Sequence, residues 1–273
     1  MAAMNELLGS DLLYRRWDAP AGGSVLLLIH GMGAHSARWN FLAGYFAGRG
    51  VPSYAPELRG YGRTPERPRG HIDSFDVYER DILRMREMIE TERPGSPVFL
   101  LGESLGGLIA FNLSCRHPER FAGQILISPA FKNGMKFPLS SYLTLAAFYL
   151  FNPKKTVPVP FTSAMCTRDE AYQKVMDANP DELRVSSLKT LMSTLSAQKA
   201  ARRLAGGLRV PTLFLVPGND FLIDERESRR LFERLSLEDK TLLEYPEMFH
   251  ALSIESGREK VFADILAWIE KRG

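Results

Sequence analysis

The segment from Val98 to Leu113 constrains this chain more than any other. Val98-Phe99-Leu100-Leu101 is a short apolar run, Gly102-Glu103-Ser104-Leu105-Gly106 follows it, and Leu108, Ile109, Phe111 and Leu113 then continue an apolar, helix-like pattern. The pattern predicts strand, sharp turn and helix. In a G-x-S-x-G turn the serine is held at a strained backbone position that only small neighbours permit. Its hydroxyl stands at the positive end of the following helix, where developing negative charge is stabilised. Ser104 is therefore the candidate nucleophile. A glycine- and serine-rich turn without chemistry would read the same way, so the assignment depends on what the rest of the chain supplies.

Read in order, the chain alternates apolar strands with amphipathic helices. Leu12 to Trp17 alternates apolar and charged residues, as a half-exposed edge strand does. Ser24 to His30 is apolar on both faces, which suits a central strand covered by helices on each side. The loop Gly31-Met32-Gly33-Ala34-His35-Ser36 follows it, then a helix over 37–48 and a short strand over 52–56. Phe75, Tyr78, Ile82, Met85 and Ile89 are three and four residues apart, which puts them on one face of a helix entered through Asp73 or Ser74. Gly123 to Ser128 is another fully apolar strand. Strand and helix in this rhythm imply a parallel sheet with right-handed crossovers. Ligands in such sheets bind beyond the carboxyl ends of the strands.

The rhythm breaks between Pro129 and about Gly207, where prolines, an apolar stretch (Tyr142 to Phe151) and two helical segments (168–178 and 185–205) appear. It resumes with Val210-Pro211-Thr212-Leu213-Phe214-Leu215-Val216, a helix over 225–235, a strand over 241–245 and a last helix over 258–271. An interruption with its own apolar face between two strands reads as a lid over the active edge. The expected organisation is a core of residues 1–128 and 208–273 with a helical lid of residues 129–207.

A serine hydroxyl at neutral pH needs a base, and the base needs an orienting acid. Asp220 follows the strand at 210–216 through a Pro-Gly turn, and His250 follows the strand ending near Tyr245. An aspartate after a strand is often only a turn former; the conjunction of Ser104, Asp220 and His250, all at strand ends, is what points to catalysis. Asp224 is the rival acid and reads as the cap of the helix beginning near Glu225. The oxyanion formed on attack needs preorganised donors. The backbone N–H of Leu105 at the helix start is one, and the loop of Gly31 and Gly33 makes the N–H of Met32 the other. His30 and His35 have no third ligand nearby, so neither a metal nor any other cofactor is expected.

The wider motifs carry a family resemblance. His30-Gly31-Met32-Gly33-Ala34-His35-Ser36-Ala37-Arg38-Trp39, Leu58-Arg59-Gly60-Tyr61-Gly62-Arg63, Arg69-Gly70-His71-Ile72-Asp73-Ser74-Phe75-Asp76-Val77-Tyr78 and the elbow at Ser104 together resemble the monoacylglycerol lipase and lysophospholipase branch of the α/β-hydrolases. The order Ser, Asp, His along the chain is that of the superfamily. Val210 to Asp220 matches the family's acid-bearing strand. Two positions depart from the pattern. Glu103 stands where animal members usually carry histidine, and Met248-Phe249-His250-Ala251-Leu252 lacks the common glycine before the histidine while keeping His-x-Leu. The resemblance implies an α/β-hydrolase fold, with a mostly parallel central sheet, helices on both faces and an inserted helical lid. It also implies a serine hydrolase of the S33 aminopeptidase type that cleaves carboxylic esters of apolar acyl chains through an acyl-enzyme.

Composition limits the partners. Among 273 residues, 35 basic and 32 acidic side chains give a formal charge of only +3, too small to argue for nucleic acid. Cys115 and Cys166 lie far apart without metal-ligand spacing, and the N-terminus lacks a signal-peptide pattern, so a reduced cytoplasmic setting is expected. No run is long and apolar enough to span a bilayer. Lid side chains, with Leu143, Phe148 and Phe151 foremost, are expected to line an acyl pocket or rest on a membrane surface. The partner is thus a small ester or monoacyl lipid, with peripheral membrane contact through the lid. Two other classes remain open on the sequence alone: hydrolysis of an amide, thioester or carbon–carbon bond, and noncatalytic ligand binding on the same scaffold. Chain length, head group, lid motion and oligomeric state are not encoded legibly.

Overall fold

A computed structural model describes residues 4–9, 11–20, 23–135, 138, 140 and 147–273. Its strands are β1 (Met4–Leu8), β2 (Leu12–Trp17), β3 (Val25–Ile29), β4 (Ser53–Pro56), β5 (Val98–Glu103), β6 (Gly123–Ile127), β7 (Thr156–Pro158), β8 (Val185–Ser187), β9 (Thr212–Pro217) and β10 (Lys240–Tyr245). Its α-helices are α1 (Asn40–Ala47), α2 (Asp76–Glu92), α3 (Leu105–Arg116), α4 (Ser163–Cys166), α5 (Glu170–Ala178), α6 (Leu188–Leu204), α7 (Glu225–Arg234) and α8 (Arg258–Ile269).

Eight strands form one sheet in the order β1-β2-β4-β3-β5-β6-β9-β10. From β4 to β10 every neighbouring pair is parallel, and only the β1–β2 and β2–β4 pairings are antiparallel. The alternation of side chains along a strand explains why the central strands read as continuous apolar runs. Val25, Leu27 and Ile29 of β3 enter one apolar cluster, with α2, α3 and α6, while Leu26 and Leu28 enter the other, with α1 and α8. Val98 and Leu100 of β5 split from Phe99 and Leu101 in the same way. This is an α/β-hydrolase fold.

Three readings of local structure need correction. Leu12–Trp17 is not the edge strand, because β1 pairs with its outer side. Val185–Ser187 is not the start of a helix but pairs antiparallel with β7, and α6 begins only after Ser187, whose hydroxyl caps it by accepting the N–H of Thr190. The helix expected at 37–48 opens with a 3-10 turn at Ser36–Trp39 before α1.

The segment between β6 and β9 divides by its packing. Ala197 and Ala201 of α6 belong to the main core cluster, and the Asn112 amide of α3 donates to the Ala197 carbonyl at 3.1 Å. Cys166 and Met176 instead form a small separate cluster with Ala251 and Ile254. Among the described residues no helix is long and apolar enough to cross a membrane.

Candidate active site

Ser104 stands between β5 and α3 with φ 57° and ψ −117°, a left-handed conformation that strains any residue with a side chain. The surrounding glycines explain how the turn survives. A Cβ on Gly102 would lie 2.2 Å from the Gly106 carbonyl oxygen, and one on Gly106 would lie 2.0 Å from that of Ile29. Strand, turn and helix are therefore pressed together at contacts only glycine allows. The Ser104 N–H donates to the Ile127 carbonyl at 2.9 Å, and the Ser104 carbonyl accepts from Leu108 and Ala130, so the strained residue is held on three sides.

Asp220 and His250 come together from the ends of β9 and β10. His250 Nδ1 lies 2.7 Å from Asp220 Oδ2, and both side chains are almost completely buried. Asp220 Oδ1 accepts the N–H groups of Leu222 and Ile223 at 2.8 and 3.0 Å, which fixes the carboxylate before it meets the imidazole. Burial works against a charged imidazole, but the Asp220 carboxylate, its hydrogen bond and the Glu103 carboxylate together raise the His250 pKa above the ordinary value. Asp224, the rival acid, accepts the Arg226 N–H as the cap of α7 and pairs with Lys132 at 2.8 Å.

Among the described residues Ser104 Oγ has no hydrogen-bond partner. Nucleophile–base contacts in unliganded sites are commonly long and tighten when substrate binds. The connection between the two halves runs through their neighbours. Ser128, just past β6, donates its hydroxyl to the His250 carbonyl at 2.6 Å, and Ala130 binds the Ser104 carbonyl.

The loop after β3 reaches Ser104. A Cβ on Gly31 would be 3.2 Å from Ser104 Cβ and 3.8 Å from its Oγ. The next residue is Met32. Leu105 is the first residue of α3, where a helix leaves its N–H groups without intrahelical acceptors. His30 braces this loop: its Nδ1 donates to the Gly31 carbonyl at 2.9 Å and its Nε2 accepts the Leu58 N–H at 3.0 Å. Both nitrogens are thus occupied by backbone, and burial lowers its pKa, so His30 is a neutral strut. His35 Nε2 lies 2.9 Å from the Asn179 amide nitrogen and 3.4 Å from Glu182 Oε1.

Three buried polar contacts around the site escaped the sequence reading. Arg38 and Glu182 form a buried two-pronged pair at 2.6 and 2.7 Å, joining the β3 loop to the segment before β8. Glu255, fully buried, accepts the N–H groups of Phe249 and Arg168 at 2.9 and 3.1 Å, and so ties the histidine loop to α4 and α5. Ser253 and Glu103 form the third, with the Ser253 N–H and hydroxyl donating to the carboxylate at 3.1 and 2.9 Å. None has a sequence signature, because each joins distant segments. His71, in the family-specific motif, also has a defined place: its Nδ1 lies 2.9 Å from the Ser187 hydroxyl that caps α6.

Of the residues expected to meet substrate, Leu143 lies outside the described residues. Phe148 is 43% exposed with Lys155 Nζ 3.5 Å from its ring centre, and Phe151 is 88% exposed beside Leu150 at 79%. Phe221 and Phe249, the neighbours of the Asp220–His250 pair, stack edge to face at 5.0 Å, with Phe221 half exposed.

Comparison with known proteins agrees with this geometry. A family model described as serine aminopeptidase, S33, matches residues 22–257. The chain is 30% identical over 270 residues to human monoglyceride lipase, covering 97% of this chain and 88% of the relative. It is 29% identical to a phospholipase of Bacillus subtilis, covering 93% of this chain and 98% of that one. The crystal structure of Paleococcus ferrophilus monoacylglycerol lipase superposes with a TM-score of 0.87 at 27% identity, over 96% of this chain and all of the other.

Proposed function

Because the chain belongs to the serine aminopeptidase S33 family of α/β-hydrolases, in its monoglyceride lipase-like branch, we propose that it hydrolyses monoacyl lipids, of the monoacylglycerol or lysophospholipid type, through an acyl-enzyme on Ser104. The enzyme is a carboxylic ester hydrolase. The observation that carries the assignment of roles is the 2.7 Å contact between His250 Nδ1 and a buried Asp220, on the same sheet edge as a serine strained at φ 57°.

In this reading the Ser104 hydroxyl attacks the ester carbonyl carbon while His250 Nε2 takes its proton. Asp220 holds the imidazole in the tautomer with hydrogen on Nδ1 and stabilises the cation that forms. The carbonyl oxygen becomes an oxyanion and accepts the N–H groups of Met32 and Leu105. Collapse breaks the bond to the leaving alcohol, which takes the proton from His250. Water, deprotonated by the same base, attacks the acyl-enzyme; the fatty acid leaves and Ser104 regains its proton.

Residues 129–207, apart from α6, whose Ala197 and Ala201 sit in the main core, act as the lid over a core of 1–128 and 208–273. The exposed Phe148, Leu150 and Phe151, with Lys154 and Lys155 beside them, are its contact with the acyl chain and with a lipid surface. The setting is cytoplasmic, where Cys115 and Cys166 remain reduced; burial pushes their thiols up to about 12 and about 11, which suits inert packing side chains.

The test measures initial rates over p-nitrophenyl esters and monoacylglycerols of increasing chain length, on the wild type and on Ser104→Ala. Activity lost in the variant and peaking at medium or long chains is the expected result. Activity confined to short esters would remove the lipid assignment, and equal rates in both proteins would remove the nucleophile.

A further inference from the structure

Glu103 is the last residue of β5, immediately before Ser104, and its side chain is buried. Its Oε1 accepts the Ser253 N–H at 3.1 Å and its Oε2 accepts the Ser253 hydroxyl at 2.9 Å. Ser253, itself fully buried, lies three residues beyond His250. Two accepting oxygens are what an ionised carboxylate offers; a protonated one would have to turn one oxygen into a donor. Burial pushes the Glu103 pKa up, while the Ser253 N–H, the His250 imidazole, the Ser253 hydroxyl and the Arg38 guanidinium oppose that push.

A buried carboxylate without a close ion-pair partner is costly to keep. A clamp on Ser253 alone needs no charge, because a neutral amide oxygen would accept the same N–H. The charge acquires a use when His250 becomes a cation during acylation, since Glu103 is among the groups that favour that cation. We propose that Glu103 is a positioning residue for His250: it clamps the histidine loop through Ser253 to the strand that carries the nucleophile, and its negative charge supports the imidazolium that forms during catalysis. This rests on the reading of Ser104, His250 and Asp220 given above.

The charges facing His250 are those of Asp220, Glu103 and, in the opposite sense, Arg38, which is itself bound to Glu182. The Cys166 thiol and Tyr172 hydroxyl are the other titratable groups that sense Glu103, and burial holds both neutral near pH 7. Glu103 and Asp220 therefore act on the imidazole in the same direction, from the ends of two different strands.

The test uses Glu103→Gln, which keeps the shape and loses the charge, with Ser253→Ala as a second variant that keeps the charge and loses one hydrogen bond. Labelling with a fluorophosphonate probe comes first, because a wild type that does not label, or a Ser104→Ala variant that does, overturns the nucleophile assignment and the proposal with it. With labelling established, Glu103→Gln is expected to lower kcat by about tenfold, with KM within about twofold of wild type. The acid limb of its kcat/KM profile is expected to move down by about one pH unit, because the imidazolium loses a supporting charge. Ser253→Ala, which keeps the charge, is expected to lower kcat by about threefold with the limb unmoved, and Glu103→Met, which removes the charge, carries the test with the same expected limb shift if Glu103→Gln does not fold. Wild-type kcat and an unmoved limb in the folded Glu103 variant, or a fall in its kcat with the limb unmoved, would overturn the electrostatic role while the nucleophile assignment stood.

Discussion

Arg38 and Glu182 meet through two hydrogen bonds, Nε to Oε1 at 2.6 Å and the terminal nitrogen to Oε2 at 2.7 Å, with both side chains almost fully buried. The pair joins the loop after β3, which carries Met32, to the segment leading into β8. Arg63 and Arg69 add contacts to Asp181 and to the carbonyls of Pro180 and Asp181 around it. The Arg38 guanidinium draws the Glu182 carboxyl down to about 2, against the desolvation that would raise it. A depressed carboxylate pKa means stability present above the unfolded value of 4.5 and lost as pH falls through about 2. Glu182→Gln is therefore expected to destabilise at pH 7 by about 3–5 kcal/mol, because it leaves a buried guanidinium without its counter-charge. The double replacement Arg38→Met with Glu182→Leu is expected to recover part of that loss. Thermal unfolding of the single, the double and the wild type between pH 7 and 2 checks both statements. A single variant as stable as wild type at pH 7, or one whose deficit does not shrink toward pH 2, contradicts them.

The raised pKa of His250 has a direct kinetic consequence. Catalysis needs the neutral imidazole, so kcat/KM is expected to rise with pH through a single ionisation above the ordinary histidine value of 6.5. Asp220 is the strongest group holding that pKa up. Asp220→Asn is expected to cost about three to four orders of magnitude in kcat and to move the remaining acid limb downward. A pH–rate profile of wild type and variant on a soluble ester decides the matter; a wild-type limb at or below 6.5 would be inconsistent with the buried pair.

The parts of the candidate site that are legible in the sequence are those written locally. The elbow needs Gly102 and Gly106 within two residues of Ser104, because a Cβ at either would strike backbone; that requirement leaves a five-residue trace. Asp220 and His250 were legible because each follows a strand end, where the sheet topology gathers functional groups. The groups that hold these residues in place left no such trace. Arg38 meets Glu182 across 144 residues and Glu103 meets Ser253 across 150, separations at which no spacing rule operates. Strand β1 was missed for another reason: Met4–Leu8 has no apolar alternation and is placed by pairing with β2. Val185–Ser187 continues without a break into the helical pattern of α6, so only its partner β7 reveals it as a strand.

Leu150 and Phe151 are 79% and 88% exposed, which is unusual for large apolar side chains unless they meet a partner. Their neighbours Lys154 and Lys155 add positive charge, and Lys155 lies over the Phe148 ring. An apolar tip with basic residues behind it suits insertion into the headgroup region of an anionic bilayer. Burying each large side chain there contributes about 2 kcal/mol, so Leu150→Ser with Phe151→Ser is expected to weaken vesicle binding by about two to three orders of magnitude. The rate on emulsified monoacylglycerol is expected to fall more than the rate on a soluble short-chain ester, because only the former requires the surface. Flotation with phosphatidylglycerol-containing vesicles, read beside the two rates, separates the uses of these side chains. Unchanged flotation with a loss on both substrates would place them in the acyl pocket and remove the membrane contact. Added salt should weaken binding of the wild type, and a Lys154→Ala, Lys155→Ala variant should lose about 1 kcal/mol per charge at low ionic strength.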